Sequence, residues 1–237
     1  VEAIDKSYST IEFDITGTIQ NANGLFLKTM GYSLEELKGK HHSMLIASSC
    51  YGTTEYRSFW EKLGRGEYDA GQYQRMAKGG REVWLQASYN PVLDDMGRPF
   101  KVILLAMDIT GQKQAQVEVE KLIKAATAGQ LSERIETESF HGASRELTES
   151  VNRLLDAVAS PLHEAQTVLA ALAKKDLTRS MSGSYQGEFE QMKANVNGAL
   201  HNLSETMTTV RAAVEAVSSG ADRISKGNGD LSHRTSE

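Results

Sequence analysis

The 237-residue chain has one cysteine, Cys50. A single thiol forms neither an internal disulfide nor a cysteine metal cluster. Cys50 therefore reads as a small, partly buried residue in a reducing compartment. An excess of basic charge is also lacking: 26 Lys and Arg stand against 31 Asp and Glu, for a net charge of −5. Residues 1–112 hold 12 basic and 14 acidic side chains, and the remainder 14 and 17. Neither half offers a basic stripe, which excludes nucleic acid as the expected partner. No apolar run approaches the roughly 18 residues that span a bilayer. No signal peptide opens the chain, so the expected location is cytoplasmic. Val1 in place of a starting Met, and an end inside a polar helical pattern, point to a piece of a longer protein.

Catalytic signatures are missing as well. There is no Walker A loop, no His-Glu-x-x-His zinc motif and no Gly-x-Ser-x-Gly elbow. Gly64-Arg65-Gly66 lacks the later glycine of a dinucleotide fingerprint. His141, His163 and His201 fall at linker or helix-surface positions without a phosphoacceptor context. The expectation is a protein without enzymatic activity.

What the chain does have divides it near residue 112. Both tryptophans and two of the three prolines precede that point. Thr10–Ile15 alternates polar and apolar, turns at Thr16-Gly17-Thr18 and resumes at Ile19-Gln20. Gly71–Met76 and Glu82–Tyr89 pair across the Lys78-Gly79-Gly80-Arg81 turn, and Phe100–Met107 is apolar enough for a central strand. Between the second and third strands lie short helices: Asn23–Met30 closed by Gly31, a capping box from Ser33 to Glu36, and Glu55–Leu63 capped by Thr53-Thr54. This order predicts an α+β domain, an antiparallel five-stranded sheet with helices over one face.

Beyond residue 113 the pattern is helical. Leu147, Val151, Leu154, Val158, Leu162, Ala165, Val168 and Leu172 form an a/d-like stripe. One isolated helix cannot satisfy such a stripe in water. The half also repeats. Ala128–Ile135 matches Lys174–Met181 at a shift of 46, and Phe140-His141-Gly142 matches Tyr185-Gln186-Gly187 at a shift of 45. Each unit reads as helix, connector, helix, with a connector too long for a tight turn. Two parallel helices joined by a returning strand of chain would make, in a homodimer, a parallel four-helix bundle.

Pro161-Leu162, Lys175-Asp176-Leu177 and Gly187-Glu188-Phe189 resemble the marks of the HAMP domain, which links sensors to outputs in bacterial receptors. The first unit lacks the proline and reads Gly129-Gln130-Leu131 and Gly142-Ala143-Ser144, a divergent HAMP. Gly229–Glu237 resembles the start of the methyl-accepting chemoreceptor signalling helix. The resemblance implies a histidine kinase and a coupling protein as partners, reached through a signalling tip that this chain lacks. The expected organisation is residues 1–112, 113–159 (divergent HAMP), 160–205 (HAMP) and 206–237 (start of the signalling helix).

Residues 8–112 resemble a PAS domain through Asp14-Ile15-Thr16-Gly17, Asn21-Ala22-Asn23, Gly31–Lys40 and the closing Asp108-Ile109-Thr110. The subtype resembles PAS domains of energy-taxis, redox and biofilm-dispersal receptors through His41–Met44, Phe59–Glu67 and Val83–Pro91. Related domains hold FAD in the cleft between helices and sheet, some hold haem, and many hold nothing known. Trp60 matches a tryptophan beside the flavin, and it also suits core packing with Tyr56. His42 matches a histidine near the same cleft. Either His41 or His42 would ligate iron if haem were bound, and two adjacent histidines also suit a solvent-facing, capping role. Gln86 and Asn90 are positioned either to hydrogen-bond a flavin edge or simply to occupy the sheet. The light-sensing cysteine motif is absent around Cys50. Asp108, Ile109 and Thr110 are expected to carry the signal into the helices. The reading is thus a sensory and relay region responding to redox state, oxygen or a small ligand. Its alternative is a ligand-free module for dimerisation and protein interaction.

Overall fold

A computed structural model of the protein describes residues 6–234. Thr235-Ser236-Glu237, part of the signalling-helix resemblance, lie outside the described residues. The chain forms two compact units, residues 1–129 with 133–149, and residues 130–132 with 150–237.

The first unit holds the expected sheet. Strands β1 (Ser9–Asp14), β2 (Ile19–Ala22), β3 (Asp69–Met76), β4 (Glu82–Leu93) and β5 (Pro99–Asp108) pair antiparallel in the order β2-β1-β5-β4-β3. Strand alternation sends Ile11, Phe13, Val83, Leu85, Ala87, Tyr89, Val102, Leu104 and Ala106 to one face. Helices α1 (Gly24–Met30), α2 (Leu34–Leu37) and α3 (Thr54–Gly64) cover that face with Phe26, Met30, Leu37 and Leu63.

The caps follow the local sequence. Asn23 accepts the Phe26 N–H, and Gly31 closes α1 at φ 73°, a left-handed conformation that favours glycine. Ser33 and Glu36 complete the capping box, and Thr53 caps α3. Strand β4 outruns its expected end and includes Pro91. The pairing with β3 stops at Asp69–Tyr89, so Pro91 sits where β4 has become an edge and its missing donor costs no ladder bond.

Helix α4 (Thr110–Thr127) begins directly after β5, three residues before the expected start. Helices α5 (Ala143–Ala173) and α6 (Glu188–Arg234) make up most of the rest. The expected boundary at 159/160 falls inside α5, which runs unbroken through Pro161. The repeat is structural as well as sequential. Gly129 and Lys175 both take positive φ, 83° and 67°, where each preceding helix ends. Lys175 is the one non-glycine with positive φ among the described residues. Gly142 and Gly187 do the same, at 55° and 58°, just before the next helix. Ile135 and Met181, paired by the shift of 46, are both buried.

Candidate functional site: a cavity, a junction and a connector

The first feature is a cavity of about 410 Å3 between the sheet and the segment from His42 to Phe59. Ile46, Ala47, Phe59, Tyr73 and Met76 give it apolar walls, and His42, Tyr56 and Arg75 give it polar ones. Behind it stands an aromatic cluster. Phe13 lies edge-on to His42 at 5.4 Å and to Trp60 at 5.8 Å, and Phe59 edge-on to Tyr89 at 4.8 Å.

His42 is 1% exposed and hydrogen-bonded on both ring nitrogens, Nδ1 to Tyr56 Oη at 2.9 Å and Nε2 to Tyr89 Oη at 3.1 Å. Arg75 donates to Tyr89 Oη twice, from Nη2 at 2.6 Å and from Nε at 3.2 Å. Those bonds occupy the oxygen's lone pairs, so the Tyr89 proton goes to His42 Nε2 and Nδ1–H donates to Tyr56. A neutral ring suits this chain of bonds. Burial, with the charges of Arg75 and His41 adding, pushes the imidazole well below its usual range.

His41 serves a different purpose. Its Nδ1 accepts the Ser43 N–H at 3.2 Å, so the ring proton is on Nε2 and donates to the Thr16 carbonyl at 3.0 Å. The side chain pins the β1–β2 turn to a short 3-10 helix, His42–Leu45. The expectation of two solvent-facing histidines fails for His42, which the core encloses.

Trp60 packs in the core cluster and does not line the cavity. Its Nε1 is the one buried side-chain polar atom among the described residues that lacks a hydrogen-bond partner. It also crowds Gly17, where an added Cβ would meet the indole at 2.9 Å. Gln86 and Asn90 do not join the cleft. Strand alternation places them on the face opposite Leu85 and Tyr89, with Gln86 exposed and Asn90 bonded to Ser88 and to the Ile103 carbonyl. Their placement at a cofactor edge is corrected accordingly.

The second feature is the junction at the end of β5. Ile109 N–H donates to the Trp84 carbonyl at 2.8 Å, and Trp84 N–H donates to Thr110 Oγ1 at 3.0 Å. Asp108 Oδ1 accepts the Thr110 N–H at 2.8 Å, and Lys113 Nζ lies 5.1 Å from the Trp84 ring centroid. The first turn of α4 is therefore tied to β4, the strand that carries Tyr89. Sequence reasoning did not single out Trp84 for this part, nor Arg75 and Tyr89 for the cavity. The signal for Arg75 was available: it is a charged residue in phase with Gly71 and Tyr73 on the inward side of an alternating strand.

The third feature is the connector between α5 and α6. Glu164 accepts from Ser182 N at 2.7 Å, from Gly183 N at 3.2 Å and from Tyr185 Oη at 2.6 Å. Asn197 brackets Met181, accepting its N–H and donating to its carbonyl, both at 2.9 Å. The connector thus runs back along α5, and α6 then rises parallel to it. Ala165, Val168, Met181 and Leu200 close the small core between them. Hydrogen bonds from Tyr185 and Ser182 hold the Glu164 carboxyl down at about 2.

Residues 19–106 match the PAS fold, and residues 139–206 match the HAMP domain. The chain is 32% identical over 222 residues to the biofilm dispersion protein BdlA of Pseudomonas aeruginosa, covering 93% of this chain and 49% of that protein. It is 33% identical over 139 residues to the methyl-accepting chemotaxis protein McpB of the same species, covering 59% and 20%. It is 30% identical over 122 residues to the aerotaxis receptor of Escherichia coli, covering 52% and 23%. The chain thus spans less than half the length of each of these relatives. It carries a PAS fold followed by a HAMP domain, and is similar over part of their length to proteins that include a methyl-accepting chemotaxis protein and an aerotaxis receptor.

Proposed function

We propose that this chain is the input and relay region of a cytoplasmic bacterial chemoreceptor, that its PAS cavity receives a small ligand, and that it catalyses nothing itself. The observation that carries the reading is the continuous path from cavity to helix. Tyr89 faces the cavity wall through His42, Trp84 lies on the same strand, and Trp84 holds the first turn of α4 through Ile109 and Thr110. A ligand that shifts β4 moves the anchor of α4. Asp108 keeps that anchor in register by accepting the Thr110 N–H in a turn just before the helix.

The relay requires a second copy of the chain. Leu154, Leu162 and Leu169 on α5 are exposed, as are Leu203, Met207, Val210, Val214, Val217 and Ile224 on α6. From Leu203 to Val217 the α6 set repeats in alternating steps of four and three, with Ile224 one heptad further on, the seam of a parallel coiled coil. A homodimer would close two α5–α6 pairs into a four-helix bundle. The shared positive-φ residues and buried pins support the assignment of residues 113–159 as a divergent HAMP upstream of the HAMP at 160–205, the two joined through α5. Residues 206–237 would then begin the signalling helix toward the kinase and its coupling protein. Among the described residues no helix is long and apolar enough to cross a membrane.

Haem fits the site poorly. Both nitrogens of His41 and of His42 are engaged, so ligation would break a bonded pair in either case. FAD is the second reading: Trp60 Nε1 is buried and unpartnered, and a flavin oxygen would satisfy that donor if the indole turned into the cavity that it does not line here. An absorption spectrum of the purified protein separates the readings. A colourless protein that stays colourless after incubation with FAD and haemin supports the small-ligand sensor. Bands near ~375 and ~450 nm with released FAD replace it with a flavin sensor.

A further inference from the structure

We propose that the PAS cavity is built for a small carboxylate with an apolar body, held by Arg75 and Tyr56. The proposal rests on the ligand-sensor reading and narrows it to a chemical class.

Arg75 is 9% exposed and lines the cavity. It forms no ion pair with any described residue. Asp69, on the same strand face, is already taken by Lys62 Nζ at 2.6 Å and Tyr73 Oη at 2.5 Å. Glu55 lies at the rim, exposed and unpaired with Arg75. Partial relief comes from the Tyr73 ring, whose centroid is 4.9 Å from the guanidinium carbon. A buried cation without a counter-charge is otherwise costly, and such groups are normally paired.

A guanidinium has five N–H donors. Three are engaged: Nε and Nη2 with Tyr89 Oη, and Nη1 with the Gln74 carbonyl at 2.8 Å. Two remain, one on each terminal nitrogen, the number a carboxylate accepts in a bidentate pair. Tyr56 Oη accepts from His42, and its own proton has no acceptor among the described residues. One strong cation and one hydroxyl donor thus stand on the wall of a cavity whose apolar lining includes Ile46, Ala47, Phe59 and Met76, with Ser49, Thr53 and Glu55 among its other polar lining residues. A carboxylate on a flat or aliphatic body meets both halves of that lining, in a volume within the range of small-molecule sites. Inorganic phosphate offers the charge without the body.

The test is calorimetric titration of the full chain with benzoate, octanoate, benzamide and inorganic phosphate, each up to about 10 mM. The expected result is that benzoate or octanoate binds about tenfold or more tightly than benzamide or phosphate. Arg75→Met should erase that preference and Tyr56→Phe should weaken it. Arg75→Lys, which keeps the buried charge, should retain it with lower affinity and serves if Arg75→Met does not fold. Equal binding of benzoate and benzamide, or carboxylate binding unchanged in Arg75→Met, overturns the proposal while leaving a small-ligand cavity in place. Binding of none of the probes overturns it together with the ligand-sensor reading.

Discussion

The sheet half and the helical half solve the burial problem differently. In the sheet half Phe13, Met30, Leu37, Leu63, Val83 and Val102 are fully enclosed by their own chain. In the helical half Leu154 is 67% exposed, Val214 62% and Val217 73%, although they occupy the most regular apolar pattern in the sequence. A strand face finds its cover locally, because helices α1 to α3 follow within the same domain. A helical stripe with a spacing of three and four is completed by another helix, and here the chain supplies too few. The sheet half is therefore self-contained, whereas the helical half leaves an apolar stripe that the proposed dimer would cover. In that proposal, a change within one chain would be read out as a change between two.

The sharpest way to break this contrast is to damage each half and ask what the other does. Phe13→Ala should cost the sheet half about 3–5 kcal/mol, because the ring contacts His42, Trp60 and Tyr89 at the centre of the core. Tryptophan fluorescence reports this half alone, since Trp60 and Trp84 both lie in it. Sedimentation equilibrium should still find a dimer. The converse variant, Val210→Asp with Val214→Asp, should raise the dimer dissociation constant at least about a hundredfold through like charges in the seam. Its tryptophan unfolding transition should not move. If that transition became concentration-dependent in the native protein, the sheet half would not be self-contained.

Acid should separate the halves more gently. His42 is held neutral, so below about 6.5 the unfolded chain binds a proton that the folded chain refuses. Its contribution to sheet stability is complete above that pH and falls below it, by at most about 1.4 kcal/mol per pH unit. Glu164 is the opposite type of group, a carboxylate depressed to about 2 from 4.5. Its contribution to the connector is present above 4.5 and is lost as pH falls toward about 2. Between these windows the tryptophan signal should weaken while the helical dichroism signal holds. Simultaneous loss of both would show that the halves are not independent in this respect.

The smallest effect on stability should come with a large effect on signalling. Asp108→Ala removes one exposed Asx-turn hydrogen bond, to the first residue of α4, worth about 0.5–1 kcal/mol. Both halves should stay folded, but ligand-dependent output of a full receptor carrying the change should disappear. Unchanged output would exclude the Trp84–Thr110 junction as the route.

Much of the fold was legible because its signals are local. Alternation over Thr10–Ile15 and Gly71–Met76, the Ser33–Glu36 capping box and the Asn23 and Thr53 caps depend on neighbours within four residues. The 45-to-46-residue repeat likewise appears as matched left-handed residues, Gly129 with Lys175 and Gly142 with Gly187. The site was less legible. Gln86 and Asn90 share a strand with Tyr89, and only the register against β5 and the helices on one face decide which side of that strand is the cleft. His41 and His42 are neighbours in sequence, yet one staples a turn and the other is enclosed by Tyr56 and Tyr89, from residues 14 and 47 positions away. The sequence by itself determined the periodicities and the caps, because those follow from short-range sterics and from where apolar side chains recur. Only the tertiary structure decided that Arg75 is buried without a counter-charge, that His42 is neutral and doubly bonded, and that Trp84 holds the helix junction. Each of those depends on which distant groups the fold brings within about 3 Å, the range over which a hydrogen bond forms.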